Sequence, residues 1–166
     1  MKKFSIMAGF IVISFIIQTS FFNFFNTLGA VPNLTLILVV IFALMTDGVT
    51  GGLLGIIAGI MYDTMIYDVF GVFTLIYFFI GSVIGNYSDD MLRENYAAYT
   101  TVTAISTVVM HFILYVILYF LRYRVGNAGS ILVSILVEIV FNTVISIFVL
   151  KIIIFIFDKL NVNSKR

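Results

Sequence analysis

Nearly every residue of this chain belongs to one of six long apolar runs, separated only by short polar breaks. With 62% hydrophobic and 10% charged residues and a mean hydropathy of +1.19, such a chain would aggregate in water. In a bilayer every backbone donor and acceptor must be satisfied within the protein, which restricts the runs to helices or a closed barrel. Their lengths and continuous apolarity favour helices. The expectation is an all-α polytopic membrane protein, a single transmembrane domain over residues 1–166 with helices at about 4–22, 34–46, 50–66, 70–85, 98–121 and 131–157. Six spans of about 20 residues leave no room for a soluble domain.

Composition removes several function classes. There is no cysteine, which excludes disulfides and thiolate ligands, and a single histidine cannot build a zinc site of several imidazoles. No HExxH or GxSxG pattern occurs, and the basic residues form no stripe, so neither catalysis, metal, cofactor nor nucleic acid is expected. A channel or pump would show more ionisable residues along its path.

The first run, Phe4 to Phe22, follows Lys2 and Lys3 and resembles the start of a secretory signal. We expect an uncleaved helix, because the run exceeds a typical signal core and Leu28 stands where a cleavage site before Val31 needs a small residue. The second and third runs are short and joined by Thr46-Asp47-Gly48-Val49, so a re-entrant hairpin competes with two spans. Asp47 opposes the hairpin, since its carboxylate would lie near mid-bilayer. Lys2, Lys3, Arg93, Lys159, Lys165 and Arg166 fall on one side under six spans, against Arg122 and Arg124 on the other; both termini should be cytoplasmic. Tyr62, Tyr67, Tyr119 and Tyr123 would mark the outer interface, with Phe21, Phe22, Phe24 and Phe25, and Tyr87, Tyr96 and Tyr99 the inner one.

Three ionisable residues interrupt the apolar runs: Asp63, His111 and Glu138. Thr103, Thr107, His111, Tyr115 and Tyr119 recur every fourth residue in the fifth run, and Ser134, Glu138, Asn142 and Ser146 do so in the sixth. Each series makes a stripe on one helix face. In antiparallel helices His111 would lie roughly 15 Å and Glu138 roughly 10 Å below the outer ends, close enough in depth to pair, either as a lock between helices or as a proton relay. Asp63 lies near the outer end of its helix and is followed by Asp68. It can reach the interface, cap the next helix or receive a partner's basic group. Ser14 and Gln18 form a smaller polar face on the first helix, suited to hydrogen bonds between helices. Asp89, Asp90, Arg93 and Glu94 belong to the most polar loop, as solvated charges or as a partner contact.

Gly51, Gly55 and Gly59 recur at four-residue spacing, and Gly81 and Gly85 do so in the next run. Such faces admit close helix approach, here within the chain or toward a partner.

The segment Pro32-Asn33-Leu34, then Gly51-Gly52-Leu53-Leu54-Gly55 through Gly59-Ile60-Met61-Tyr62-Asp63, then Asp68-Val69-Phe70-Gly71, resembles the rod shape-determining protein MreD family, as do the length and layout. The resemblance implies a non-enzymatic scaffold of the bacterial inner membrane within the cell-elongation machinery. Its implied partners are MreC, a class B penicillin-binding transpeptidase with its polytopic glycosyltransferase, and the MreB filament. The family's fold is also similar to the S components of vitamin-uptake transporters, which supplies a rival reading as a substrate-binding subunit. The glycine series and Asp63 carry the match; His111 and Glu138 receive no role from it.

Overall fold

The computed structural model describes residues 2–21, 31–65, 69–88, 95–122 and 128–160. These form α1 (Lys2–Phe21), α2 (Leu34–Leu44), α3 (Gly48–Met65), α4 (Val72–Asn86), α5 (Tyr96–Phe120) and α6 (Ala128–Lys159), with no strand among the described residues. The expected boundaries shift by a few residues, because Asn95 caps α5 ahead of Ala98 and α6 starts before Ile131. Tyr67, Tyr123, Phe22, Phe24, Phe25, Asp68, Asp89, Asp90, Arg93, Glu94, Arg124, Lys165 and Arg166 lie outside the described residues.

Three helical segments are long and apolar enough to cross a membrane: Lys2–Ser20, Tyr96–Phe120 and Ile131–Lys159. The expectation of six full spans holds in helix number and only partly in helix length. α2 rises about 16 Å, roughly half of a hydrocarbon core, and α3 and α4 are also short.

α2 is the axis of the molecule. Every residue from Thr35 to Leu44 is buried, so this helix is apolar on all sides and packed on all sides. α1 lays Met7, Ile11, Ser14, Phe15 and Gln18 inward and leaves Val12, Ile13, Ile16 and Ile17 outside. Phe42 of α2 stacks on Phe157 of α6 with ring centroids 6.1 Å apart, and Phe10 of α1 closes the trio at 6.4 and 6.5 Å.

The turn between α2 and α3 sits beside the start of α1, where Lys3 Nζ donates to the Met45 carbonyl at 3.4 Å. Ser88, just past α4, donates to the Thr46 carbonyl at 3.1 Å, which brings the end of α4 to the same place. Asp47 is exposed there and caps α3 by accepting from the Val49 and Thr50 amides at 3.1 and 3.0 Å. The α2–α3 connection therefore lies at one end of the bundle rather than halfway along it, unlike a re-entrant hairpin.

α3 and α4 run antiparallel with their backbones in contact, and the glycine series is the reason. A Cβ on Gly51 would strike the Gly81 carbonyl oxygen, one on Gly55 the Tyr77 carbonyl oxygen, and one on Gly59 the Thr74 Cα. Gly85 faces the Asp47 carbonyl, where a Cβ would stand 2.6 Å from the oxygen. The glycine face thus meets another helix of the same chain. Lipid supplies no hydrophobic drive between helices, so this close van der Waals fit holds the pair.

Gly55→Leu should therefore force α3 from α4 and lower stability by about 3 kcal/mol or more, the upper end of overpacking costs. Gly9, with nothing near its would-be Cβ, is the control: Gly9→Ala should leave the thermal unfolding midpoint in detergent unchanged or slightly raised.

Candidate functional site

The first turn of a helix leaves its amide donors unpaired, and within a bilayer no water can serve them. α2 begins inside the protein, and the polar side chains gathered around its start answer that problem. Pro32 has no amide to satisfy. The Asn33 amide donates to Asn142 Oδ1 of α6 at 2.7 Å, and the Thr35 amide to Gln18 Oε1 of α1 at 3.2 Å. Asn33 Oδ1 caps the Leu36 amide at 2.9 Å, and the Asn33 carbonyl accepts from Ile37 at 3.1 Å.

The same side chains extend the network outward. Asn33 Nδ2 donates to the Tyr77 hydroxyl of α4 at 2.8 Å and meets Met110 Sδ of α5 at 3.6 Å. Gln18 Oε1 also accepts from the Thr35 hydroxyl at 3.2 Å, while Gln18 Nε2 donates to the Tyr62 hydroxyl of α3. Asn142 Nδ2 donates to Thr107 Oγ1 at 3.0 Å and to Glu138 Oε1 at 3.4 Å. Glu138 Oε2 and His111 Nε2 stand 2.8 Å apart. Every helix contributes to this layer, and no buried side-chain nitrogen or oxygen among the described residues lacks a partner.

His111 and Glu138 occupy its outer margin, with side chains 20% and 13% exposed. The contact gives each group a polar partner, so neither is buried alone. The stripes that lead to them are only partly inward. Thr103 and Thr107 fold their hydroxyls onto the carbonyls of Tyr99 and Thr103, at 2.7 and 3.0 Å, and Ser146 onto that of Thr143 at 2.7 Å. Tyr115 and Tyr119 are exposed, and Ser134 is half-buried with no part in the network.

Asp63 serves elsewhere. It is 3% exposed, and its carboxylate accepts from the Phe73 and Thr74 amides, each at 2.9 Å, and from the Thr74 hydroxyl at 2.6 Å. Gly71, the residue at the N-cap of α4, has φ 98° and no side chain to cap with. A carboxylate reaching across from α3 takes over that task, and the positive end of the helix dipole favours its charge. Of the three readings for Asp63, the structure selects the cap, and a buried, engaged carboxylate is not available to a partner's basic group.

The tyrosines show where the sequence reading fell short. Tyr62, expected at the outer interface, is 8% exposed and packed against Phe15, Phe73 and Tyr77 with ring centroids 5.8, 4.9 and 5.7 Å away. Tyr99, expected at the inner interface, is buried, whereas Tyr87, Tyr96 and Tyr119 are exposed. Asn33, Thr35 and Tyr77 join the site without belonging to any of the polar stripes or ionisable positions of the sequence. The Pro32-Asn33 break ahead of an apolar run was the signal for the first two, since a proline followed by a capping residue marks a helix start that needs outside partners.

Two measurements test this layer and the Asp63 cap. A double-mutant cycle on His111→Ala and Glu138→Ala should give a coupling of about 0.5–2 kcal/mol, the range for hydrogen bonds between helices in membranes. Asn33→Ala and Asp63→Ala should each destabilise by about 2–4 kcal/mol, since each strands buried amide donors; Ser134→Ala should be near neutral by the same denaturation assay.

No curated protein and no solved structure matches the chain. A family model described as rod shape-determining protein MreD matches residues 1–160. That match takes in α1 through α6, including the α3–α4 glycine interface, the Asp63 cap and the polar layer. This helical membrane protein therefore belongs to the MreD family, and its role is in the determination of rod shape.

Proposed function

We propose that the chain is a non-enzymatic, multi-pass scaffold subunit of the bacterial inner membrane, serving the machinery of cell elongation and peptidoglycan synthesis. Both termini face the cytoplasm in this reading, in keeping with Lys2, Lys3 and Lys159 at one end of the bundle. The observation that carries the proposal is the saturation of the interior: the buried polar side-chain atoms among the described residues are all engaged with the protein itself. A site that binds or transforms a polar substrate keeps convergent polar groups open to it. Here those groups fix helices to one another, and the outward faces are apolar helix surfaces suited to other membrane proteins.

MreC, a class B penicillin-binding transpeptidase, its polytopic glycosyltransferase and the MreB filament are the partners proposed. A vitamin-binding subunit would need open polar groups between the later helices, whereas Thr107, His111, Glu138 and Asn142 are bonded to one another. The groove between α4 and α5, about 350 Å³, is lined by Phe79, Val83, Ile105 and other apolar side chains, with Ser106 as its polar member.

Affinity isolation of the tagged chain from its native membrane in mild detergent should recover MreC together with the transpeptidase and glycosyltransferase. Recovery of an ATPase and a coupling subunit instead would defeat the scaffold reading.

A further inference from the structure

α6 turns a long apolar stripe away from the rest of the molecule. Leu136, Val140, Val144 and Phe148 follow one another at four-residue steps along its exposed side, and Phe155 continues the line two turns further on. Lys151 stands in this stripe, one turn from both phenylalanines, and it is exposed. Among the described residues it makes no hydrogen bond or ion pair.

An ammonium on a lipid-facing helix is costly, about 2.5–3.5 kcal/mol at the bilayer centre on insertion scales. Lysines near a helix end avoid that cost by reaching to the headgroups. The direction of Lys151 is wrong for this. The charged end of α6 is its C-terminal end, with Asp158 and Lys159 about 12 Å further along the helix, whereas helical Cα–Cβ bonds tilt toward the N-terminus. Lys151 therefore starts out pointing deeper into the membrane, away from the nearer headgroups.

A second copy of the chain does not solve the problem. A two-fold symmetric pair of parallel α6 helices meeting on this stripe would set Lys151 against its own counterpart. A carboxylate at the same depth on a different helix neutralises the charge where it stands, and the flanking apolar side chains supply the packing.

We propose that the Leu136–Phe155 stripe of α6 is the docking face for a transmembrane helix of another polypeptide, which sets an aspartate or glutamate carboxylate against Lys151. The proposal rests on the scaffold reading and gives it a surface and a partner chemistry.

The test places a photo-activated cross-linking residue at Phe148, and separately at Phe155, in the full chain in its native membrane. The expected adduct is a polypeptide whose cross-linked transmembrane segment carries a carboxylate. Lys151→Glu should lower its yield at least about tenfold, Lys151→Met should lower it less, and exchanging the partner's carboxylate for lysine should restore the yield in the Lys151→Glu background. Because Lys151 is exposed and makes no hydrogen bond or ion pair among the described residues, each variant should keep the parental unfolding midpoint; a Lys151→Met protein that no longer folds would itself show an internal role and overturn the proposal. Adducts with lipid alone or with a second copy, a yield indifferent to Lys151→Glu, or no rescue by the exchange would also overturn it. The scaffold reading survives that failure if the elongation partners are still isolated, since they would then bind other helix faces.

Discussion

An α-helix that begins within a membrane protein must find partners for its first amides, and in this molecule that requirement organises the rest. α2 is wholly apolar from Leu36 onward, so it gains by lying at the centre, but its N-terminus is then carried out of reach of water. Gln18 and Asn142 come from opposite ends of the chain to meet the Thr35 and Asn33 amides. Those two side chains are themselves held by Tyr62, Thr107 and Glu138. Losing one member strands its neighbours, so the layer specifies a single arrangement of α1, α2 and α6 in a way that interchangeable apolar contacts cannot.

The α3–α4 hairpin answers a different requirement by different means. Its glycines let backbone meet backbone over the length of both helices, and Asp63 finishes the job by capping α4 from α3. Packing and capping act on the same pair, so the hairpin is a rigid unit that offers Tyr62 and Tyr77 to the polar layer at fixed positions. Gly55 and Gly59 bring the two backbones together beside Tyr77 and Thr74, and the hydroxyls of Tyr62 and Tyr77 meet Gln18 and Asn33.

Much of this was legible in the sequence because it depends on helical spacing. The four-residue period of Gly51, Gly55 and Gly59 announced a close helix contact, and the depth of His111 and Glu138 in an antiparallel hairpin announced their proximity. What escaped was set by tertiary context. Tyrosine is amphipathic, so sequence alone assigns it to the water interface, and only a polar partner inside the protein, as Gln18 is to Tyr62, draws it inward. Asp63 left three readings open because its choice depends on Gly71, whose left-handed backbone leaves α4 without a cap of its own. The shortness of the second run was legible as well, but its cause was not: α2 is short because the protein, not the headgroup region, receives its N-terminus.

The polar layer also divides α5 and α6 into an inner and an outer part. On its inner side the other five helices pack around α2. On its outer side α5 and α6 continue for about 20 Å beyond Thr107 and Asn142. Phe112, Tyr115, Leu132 and Leu136 are accordingly exposed on this hairpin. His111 and Glu138 sit at the outer margin of the layer, where this hairpin leaves the core, and so act with the greatest leverage on whether its two helices stay together. An apolar contact at that point would slide, because helices in lipid gain little from one greasy surface over another. A 2.8 Å polar contact has one register, and it sets that register for the outer hairpin as Asn33 does for α2.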